Sequence, residues 1–303
     1  MTVVAGGGLY SAAVWKILHP RLAITLLAVL GVYGCITYPA TSLQTGTLPE
    51  QIGESSALTR SSRNPNLFWT LNDSGNAPEI FAIDLSGRVH ATVILEGVAN
   101  SDWEAMTADG AGTLFVADIG NNENARRDLV IHEIAEPDPE VSGTVPVRRS
   151  IRFRFEDQNR YPDPDTMNFD AEAVIWADGL LYILTKHRSD TRTALYVVDP
   201  SATGETVARR ITSVEIGSMV TDASLSPDHR ILAVLTYAGI HLYERSGENF
   251  LANHLKMIRF DPAISQQSEG IAWDGANALA FTNEQRAVHH VARPLDPNVT
   301  TYP

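Results

Sequence analysis

A short acidic motif recurs along the chain, and it constrains the possible folds more than any other feature. Residues 101–106 read Ser-Asp-Trp-Glu-Ala-Met, and an Asp-Gly turn follows shortly after them. Related segments occur at 169–174 and 267–271, with weaker copies at 54–58 and 222–225. Self-similarity at a roughly fixed period is typical of a repeat architecture. We interpret the copies as the innermost strands of five propeller blades, whose channel-facing residues are Ser56, Glu104, Glu172, Ser224 and Glu269.

The spacing and composition of the chain favour an all-β propeller. From residue 47 onward, short β-branched and aromatic runs alternate with Gly, Pro, Asn and Asp, and no long helical periodicity is present. The five channel-facing positions lie 48, 68, 52 and 45 residues apart, close to the roughly 40–50 residues of a four-stranded blade. In the long interval, segments 136–147 and 157–167 are rich in proline and acids and predict loops.

Closure of the ring needs one more strand, because the chain ends after three strands of the last blade. A strand near residues 45–51 is expected to supply the fourth and to remove the open sheet edge. Five blades are favoured, and a sixth blade within the long interval is the main alternative. A β-sandwich is disfavoured, because that fold would not require the motif to repeat.

The N-terminal residues are expected to lie outside the propeller domain, which we assign to residues 47–303. Lys16 and Arg21 flank an apolar run at 22–32, which has the length of a signal-peptide core. Cys35, the only cysteine, follows this run. Residues 1–35 therefore predict a lipoprotein-type signal with lipidation at Cys35, and 36–46 a linker. The alternative is an uncleaved anchor helix. Both place the domain in the cell envelope or periplasm, without a disulfide.

The charge of the chain limits its partners. The formal net charge is −13, and it becomes about −15 without the two basic residues of the leader. Such a surface repels nucleic acid and anionic lipid, so neither is an expected partner, and membrane contact is expected only through the N-terminus. An acidic surface also suits solubility and the binding of a divalent cation.

Convergence of the acidic motifs on one channel predicts a metal ion. Residues i and i+2 of a strand point the same way, so Glu54, Asp102, Asp170 and Asp222 would accompany the channel-facing residues. Carboxylates packed this closely require a counter-charge. Calcium takes six to eight oxygen ligands at about 2.3–2.6 Å, and no cysteine or histidine pair offers a zinc site. The alternative is that each acid merely solvates a turn.

The loops that follow the second strand of each blade carry a second set of candidate residues. Asn72 and Asp73 lie in one such loop and Asp118 in the next. Lys186, His187 and Arg188 form the only compact basic triplet. Basic groups beside acidic turns suit a phosphate-bearing ligand, neutralised partly by metal and partly by Lys and Arg. The alternative is a plain turn and a solvated loop.

The sequence resembles the calcium-activated nucleotidases, or apyrases. The matching segments are 72–75, 102–106, 186–188 and 268–271. The resemblance implies a five-bladed propeller with calcium in its central tunnel, held by Ser56, Glu104, Glu172, Ser224 and Glu269. It also implies Asp73 near the attacking water, and Lys186 and Arg188 against phosphates. The chain further resembles uncharacterised exported bacterial propeller lipoproteins, related in architecture to lactonases and β-propeller phytases.

Three functions are compatible with these observations. One is a calcium-dependent hydrolase of phosphate esters or anhydrides, with Asp73 or Asp118 as general base, and Asn72, Lys186, His187 and Arg188 binding the substrate. Another is a non-catalytic envelope propeller with structural calcium, which binds a sugar, a peptide or a partner protein. The last is a lactonase-like esterase that uses the same metal. Propellers host many activities, so the fold does not choose among them.

Overall fold

The computed structural model describes residues 42–261 and 266–299. The predicted leader 1–35, with the lipidation site Cys35, lies outside the described residues, as does most of the 36–46 linker. Within the described ranges the regular secondary structure is entirely β, as the sequence predicts. None of these residues forms a helix of the length and apolarity needed to span a membrane.

The strands form consecutive antiparallel meanders of four, joined in chain order. The first two comprise β2 (Ser55–Arg60), β3 (Phe68–Asn72), β4 (Glu79–Ile83), β5 (Val89–Glu96), then β6 (Trp103–Ala108), β7 (Thr113–Asp118), β8 (Val130–Ala135), β9 (Gly143–Phe155). The next two comprise β10 (Asp170–Ala177), β11 (Leu180–Lys186), β12 (Arg192–Val198), β13 (Thr206–Glu215), then β14 (Val220–Leu225), β15 (Ile231–Thr236), β16 (Gly239–Ser246), β17 (Asn249–Arg259). The last contains β18 (Ser268–Trp273), β19 (Ala278–Asn283), β20 (Ala287–Ala292) and, from the other end of the chain, β1 (Ser42–Thr47).

Strand β1 completes the last meander by pairing antiparallel with β20. It lies three residues earlier than the sequence predicts and ends at Thr47. Gly46 allows the close approach of this strand to the β4–β5 turn, since a Cβ there would lie 2.2 Å from the carbonyl carbon of Ser86. Leu48 and Ile52 follow β1 and are fully buried. Burial of these two side chains holds the closing segment in place.

The ring is propeller-like because its innermost strands contact one another in cyclic order. Strands β2, β6, β10, β14 and β18 each contact the next, and β18 contacts β2. Buried apolar residues fill the space between consecutive meanders. Between the second and third meanders, for example, Phe115 and Ile131 pack with Val174, Ile183 and Tyr196. The core therefore consists of apolar layers between neighbouring sheets.

Strand β9 corrects one sequence-based prediction. Residues 136–147 were expected to form a loop, but β9 begins at Gly143 and is 13 residues long. Its first residues pair in parallel with β5, and its last residues pair in parallel with β13. The outer edges of three meanders are thereby joined. Residues 143–146 hydrogen-bond through their backbone to β5, so this part of the predicted loop is a strand. The predicted loop at 157–167 contains no strand.

Candidate functional site

Every innermost strand carries a β-bulge near its start, and these bulges position the site. The register with the second strand of the meander shifts by one residue in each case. A bulge leaves one residue unpaired and re-aims its side chain. The bulged residues are Ser56, Glu104, Glu172, Thr221 and Glu269.

A polar pocket of about 110 Å³ lies at this end of the innermost strands. Four of its lining residues are bulged residues, and the others come from neighbouring loops and strand ends. The lining residues are Glu54, Ser56, Asp73, Glu104, Asn122, Glu172, Lys186, Arg188, Tyr237, Glu269 and Glu284. Six of the eleven are carboxylic acids, so the pocket concentrates negative charge.

Two sets of carboxylates in and beside the pocket share Glu104. In the first, oxygens of Asp73, Asp102 and Glu104 lie within 4.8 Å of one another, and in the second, those of Glu104, Asp170 and Glu172 do so. Gly120 permits this packing, since a Cβ at that position would lie 2.3 Å from Asp102 Oδ2 and 2.7 Å from Glu104 Oε1. The Ser56 hydroxyl donates to Glu104 Oε2 at 3.0 Å.

Basic side chains form direct ion pairs with the second set. Lys186 Nζ lies 3.0 Å from Glu172 Oε1, and both side chains are buried. The Arg188 guanidinium contacts Asp170 Oδ2 at 2.7 Å and also donates to the Asn122 side chain. Among the residues that the structure describes, no Lys, Arg or His donates to the carboxylates of Asp73, Asp102 or Glu104. Arg126 and Lys186 act on Asp102 and Asp73 only through their nearby charge, so no cation is bonded directly to this first set.

The pKa values of the pocket acids reflect this arrangement. Burial, reinforced by Asp73 and Asp170, raises the pKa of Asp102 to about 6. Burial and the nearby charge of Glu172 raise the pKa of Glu104 well above its usual range. Burial also raises the pKa of Glu269 to about 7, although Lys186 and the hydroxyl of Tyr237, 2.8 Å away, act in the opposite direction. In each case a bound cation would favour the ionised form.

Lys186 is the internal cation of the pocket. Burial alone would lower its pKa, but the carboxylates of Glu172 and Glu269 beside it raise the pKa above its usual value. It therefore remains charged and offsets one of the buried acids. The sequence predicts a phosphate-binding role for Lys186, but in the structure its ammonium group already pairs with Glu172.

Four of the five predicted metal-binding residues converge, and one does not. Ser56, Glu104, Glu172 and Glu269 line the same pocket. Ser224 lies three residues beyond the bulge of its strand and lines a different cavity, so its placement in the channel-facing ring was wrong. The segment 222–225, Asp-Ala-Ser-Leu, resembles the acidic motif in residue type. The bulge of this strand lies at Thr221, however, so Thr221 and not Ser224 is the structural equivalent of Glu104. The Thr221 hydroxyl donates to the carbonyl of Ser268 at 2.7 Å.

Three of the six predicted catalytic and substrate-binding residues line the pocket, and three do not. Asp73, Lys186 and Arg188 line the pocket. Asn72 donates to the Gln51 carbonyl and accepts from the Glu54 amide, so it shapes a loop. Asp118 is buried in an ion pair with Arg126 at 2.7 Å. His187 pairs with Asp190 at 2.7 Å. These three residues do not line the pocket.

Sequence reasoning assigned no role to Tyr237, Asn122 or Glu284, which also line the pocket. All three lie in the loops that follow the second strands of their meanders, where function was expected. Their position in these loops could have identified them from the sequence, whereas their residue types could not.

Comparison with known proteins gives no family assignment and only distant structural similarity. No protein-family model matches the chain, and no curated protein matches it. Many solved chains are similar to this one, and two of them are described here. One is a proposed 6-phosphogluconolactonase from Bacteroides uniformis, with 15% identity, a TM-score of 0.41 and 78% of this chain covered. The other is a chain of the mitotic checkpoint complex, with 16% identity, a TM-score of 0.39 and 78% covered. The present chain spans 65% and 63% of their lengths.

Proposed function

We propose that this chain is a five-bladed β-propeller whose central pocket binds a divalent cation, and that the cation is calcium. The observation that carries this proposal is the first carboxylate set, Asp73, Asp102 and Glu104, whose oxygens lie within 4.8 Å of one another. Lys186 and Arg188 are engaged by Glu172 and Asp170, which leaves the first set as the place for an added positive charge. Five consecutive meanders, the last completed by β1, support the blade count.

Calcium is favoured over other metals by the donor set. The pocket offers carboxylates, a serine hydroxyl and a tyrosine hydroxyl, and its lining contains neither histidine nor cysteine. Calcium prefers oxygen ligands in flexible geometry, whereas zinc prefers nitrogen and sulfur. Asp73, Asp102 and Glu104 would hold the ion, and the Ser56 hydroxyl beside Glu104 would orient that carboxylate.

The reaction that suits this pocket is hydrolysis of a phosphate ester or anhydride. Bound calcium would polarise a phosphoryl oxygen and lower the pKa of a coordinated water. Among this chain's own residues, Asp73 lies half-buried at the pocket and would hold the ion, so one of its carboxylate oxygens would stand beside the coordinated water and accept its proton. Arg188 is about one-third exposed and can approach a bound phosphate while it remains paired with Asp170.

A screen for phosphate release tests this activity. With calcium present, the wild-type protein should release phosphate from nucleoside di- or triphosphates or from a phosphomonoester, and EDTA should stop the reaction. Glu104→Gln should lower the rate at least about a hundredfold. The exposed Glu140 provides a matched control, since Glu140→Gln makes the same change far from the pocket. Calcium-independent release, or full activity in Glu104→Gln, would contradict the proposal.

A second candidate is a non-catalytic propeller in which calcium is structural. The engagement of Lys186 by Glu172 favours it, because this buried ammonium group cannot take a phosphate without giving up its carboxylate partner. This candidate predicts that calcium raises the melting temperature while no phosphate substrate is turned over. The phosphate screen and a melting curve on the same preparation separate the two candidates.

For its location, we propose export and attachment to the cell envelope through a lipidated Cys35. The support is the sequence pattern of an apolar run followed by the only cysteine. Labelling with a radioactive fatty acid during bacterial expression should mark the wild-type chain and leave Cys35→Ser unlabelled. Equal labelling of both proteins would exclude lipidation at this residue.

A further inference from the structure

A second cavity of about 410 Å³ lies at the opposite end of the innermost strands, away from the acidic pocket. The fourth residue after each bulge lines it, so all five innermost strands contribute equivalent positions. These positions are Arg60, Ala108, Trp176, Leu225 and Trp273. The cavity is therefore a built feature of the ring with two tryptophans in its wall.

The two indole rings are held in fixed orientations. Trp176 is partly buried, and its ring stacks on Phe115 with centroids 4.9 Å apart and planes inclined by 13°. Trp273 donates its indole N–H to the carbonyl of Ser224 at 3.1 Å. Preorganised aromatic surface is an efficient part of a binding site, because little conformational freedom is lost when a ligand packs on it.

Hydroxyl groups line the same cavity at the third residue after the bulge, directly before the positions named above. Thr59, Thr107 and Ser224 occupy this register in three of the innermost strands. The Ser224 oxygen accepts from the Trp273 amide at 3.1 Å, so its own proton remains available to donate. A hydroxyl can both donate and accept, which suits a ligand whose groups do the same.

Two charged side chains at the cavity, Arg60 and Asp109, are already engaged. Arg60 donates to the Pro65 carbonyl at 2.7 Å and lies 3.6 Å from the Asp274 carboxylate. Asp109 accepts from the backbone amides of Ala111 and Thr113 at 2.7 and 2.9 Å. A charged ligand would have to displace these partners, so the cavity favours a neutral one.

Asp222 separates this cavity from the acidic pocket. Its fully buried carboxylate accepts from the Ile271 amide at 2.7 Å and from the Leu58 amide at 3.4 Å, so it bridges three innermost strands. No described residue lines both sites, so a ligand of the second cavity would contact a different set of residues from a ligand of the first.

We propose that the second cavity binds a short neutral saccharide. A sugar ring presents an apolar C–H face and a rim of hydroxyl groups, which match the partly exposed Trp176 ring and the Thr59, Thr107 and Ser224 hydroxyls, while Trp273 is 3% exposed and supports the wall. The volume admits one or two sugar residues. This site is independent of the proposed cation site and needs no metal.

Saturation-transfer NMR and calorimetric titration of the full chain test the proposal. The probes are glucose, N-acetylglucosamine, maltose and cellobiose, with glucose 6-phosphate and glucuronate as charged counterparts. At least one neutral sugar should bind, and each charged counterpart should bind more weakly. Trp176→Ala should weaken binding about tenfold, and Trp176→Phe should retain most of it. Tyr161→Ala removes a partly exposed aromatic residue outside the cavity and serves as the control.

The proposal is overturned if none of the neutral sugars binds, if charged sugars bind more tightly, or if Trp176→Ala binds as well as wild type. Melting curves show whether each variant is folded. Should Trp176→Ala fail to fold, Thr107→Val removes a lining hydroxyl at nearly constant shape, and it should weaken the same sugar by at least about threefold. Unchanged affinity in that variant would overturn the proposal equally.

Discussion

Glu269 shows how the surroundings of one residue control the charge of the pocket. Burial raises its pKa to about 7, above the usual value of 4.5, despite the nearby Lys186 and Tyr237. The folded state therefore retains a proton that the unfolded state releases between pH 4.5 and 7. Because the folded state binds more protons in this window, this group's contribution to the free energy of unfolding falls as pH rises through it.

Replacement of Glu269 by Gln should remove that pH dependence. Without metal, the free energy of unfolding of Glu269→Gln relative to wild type should rise by roughly 2–3 kcal/mol between pH 4 and pH 8. Urea titrations in EDTA at both pH values measure it, and the comparison with wild type cancels the histidines that titrate in the same range. A relative stability that is flat or falls with pH would show that Glu269 is not protonated in the folded state.

At the scale of elements, the first carboxylate set takes Asp73 from the loop after β3 and Asp102 and Glu104 from the start of β6, and the loop after β7 packs against it. Gly120 in that loop faces Asp102 and Glu104, where a Cβ would lie within 2.7 Å of both carboxylates. Gly120→Ala should therefore separate the two side chains and weaken calcium binding at least about tenfold. Gly143→Ala is the control, since nothing lies within 4 Å of a Cβ there. Titration calorimetry measures both, and equal affinities would contradict the assigned position of the ion.

The sequence predicts much of this element-level arrangement, because the acidic motifs stand at the strand starts. Glu104, Glu172 and Glu269 are recognisable since each begins a strand and carries an ionisable side chain into the channel. Ser224 was misassigned because residue type does not reveal which residue of a strand is bulged. Strand β9 was partly missed because its parallel pairing with β5 and β13 depends on the packing of neighbouring meanders.

At the scale of the whole molecule, closure by β1 makes the stability of every meander depend on the N-terminal segment. Leu48 packs in the layer between the first and last meanders and is about 1% exposed. Leu48→Ala should lower the free energy of unfolding by about 2–4 kcal/mol. If the ring unfolds as one unit, amide exchange in β14–β17 should accelerate together with exchange in β18–β20. Acceleration confined to β18–β20 would show that closure does not couple the ring.

The central claim is that the acidic pocket binds one divalent cation, and a calcium titration of metal-stripped protein tests it most directly. Calorimetry should give one site per chain for wild type and for Glu140→Gln. In Glu104→Gln, which removes the carboxylate shared by both acidic sets, binding should be at least about a hundredfold weaker. Absence of binding to wild type, or equal binding to Glu104→Gln, would contradict the account.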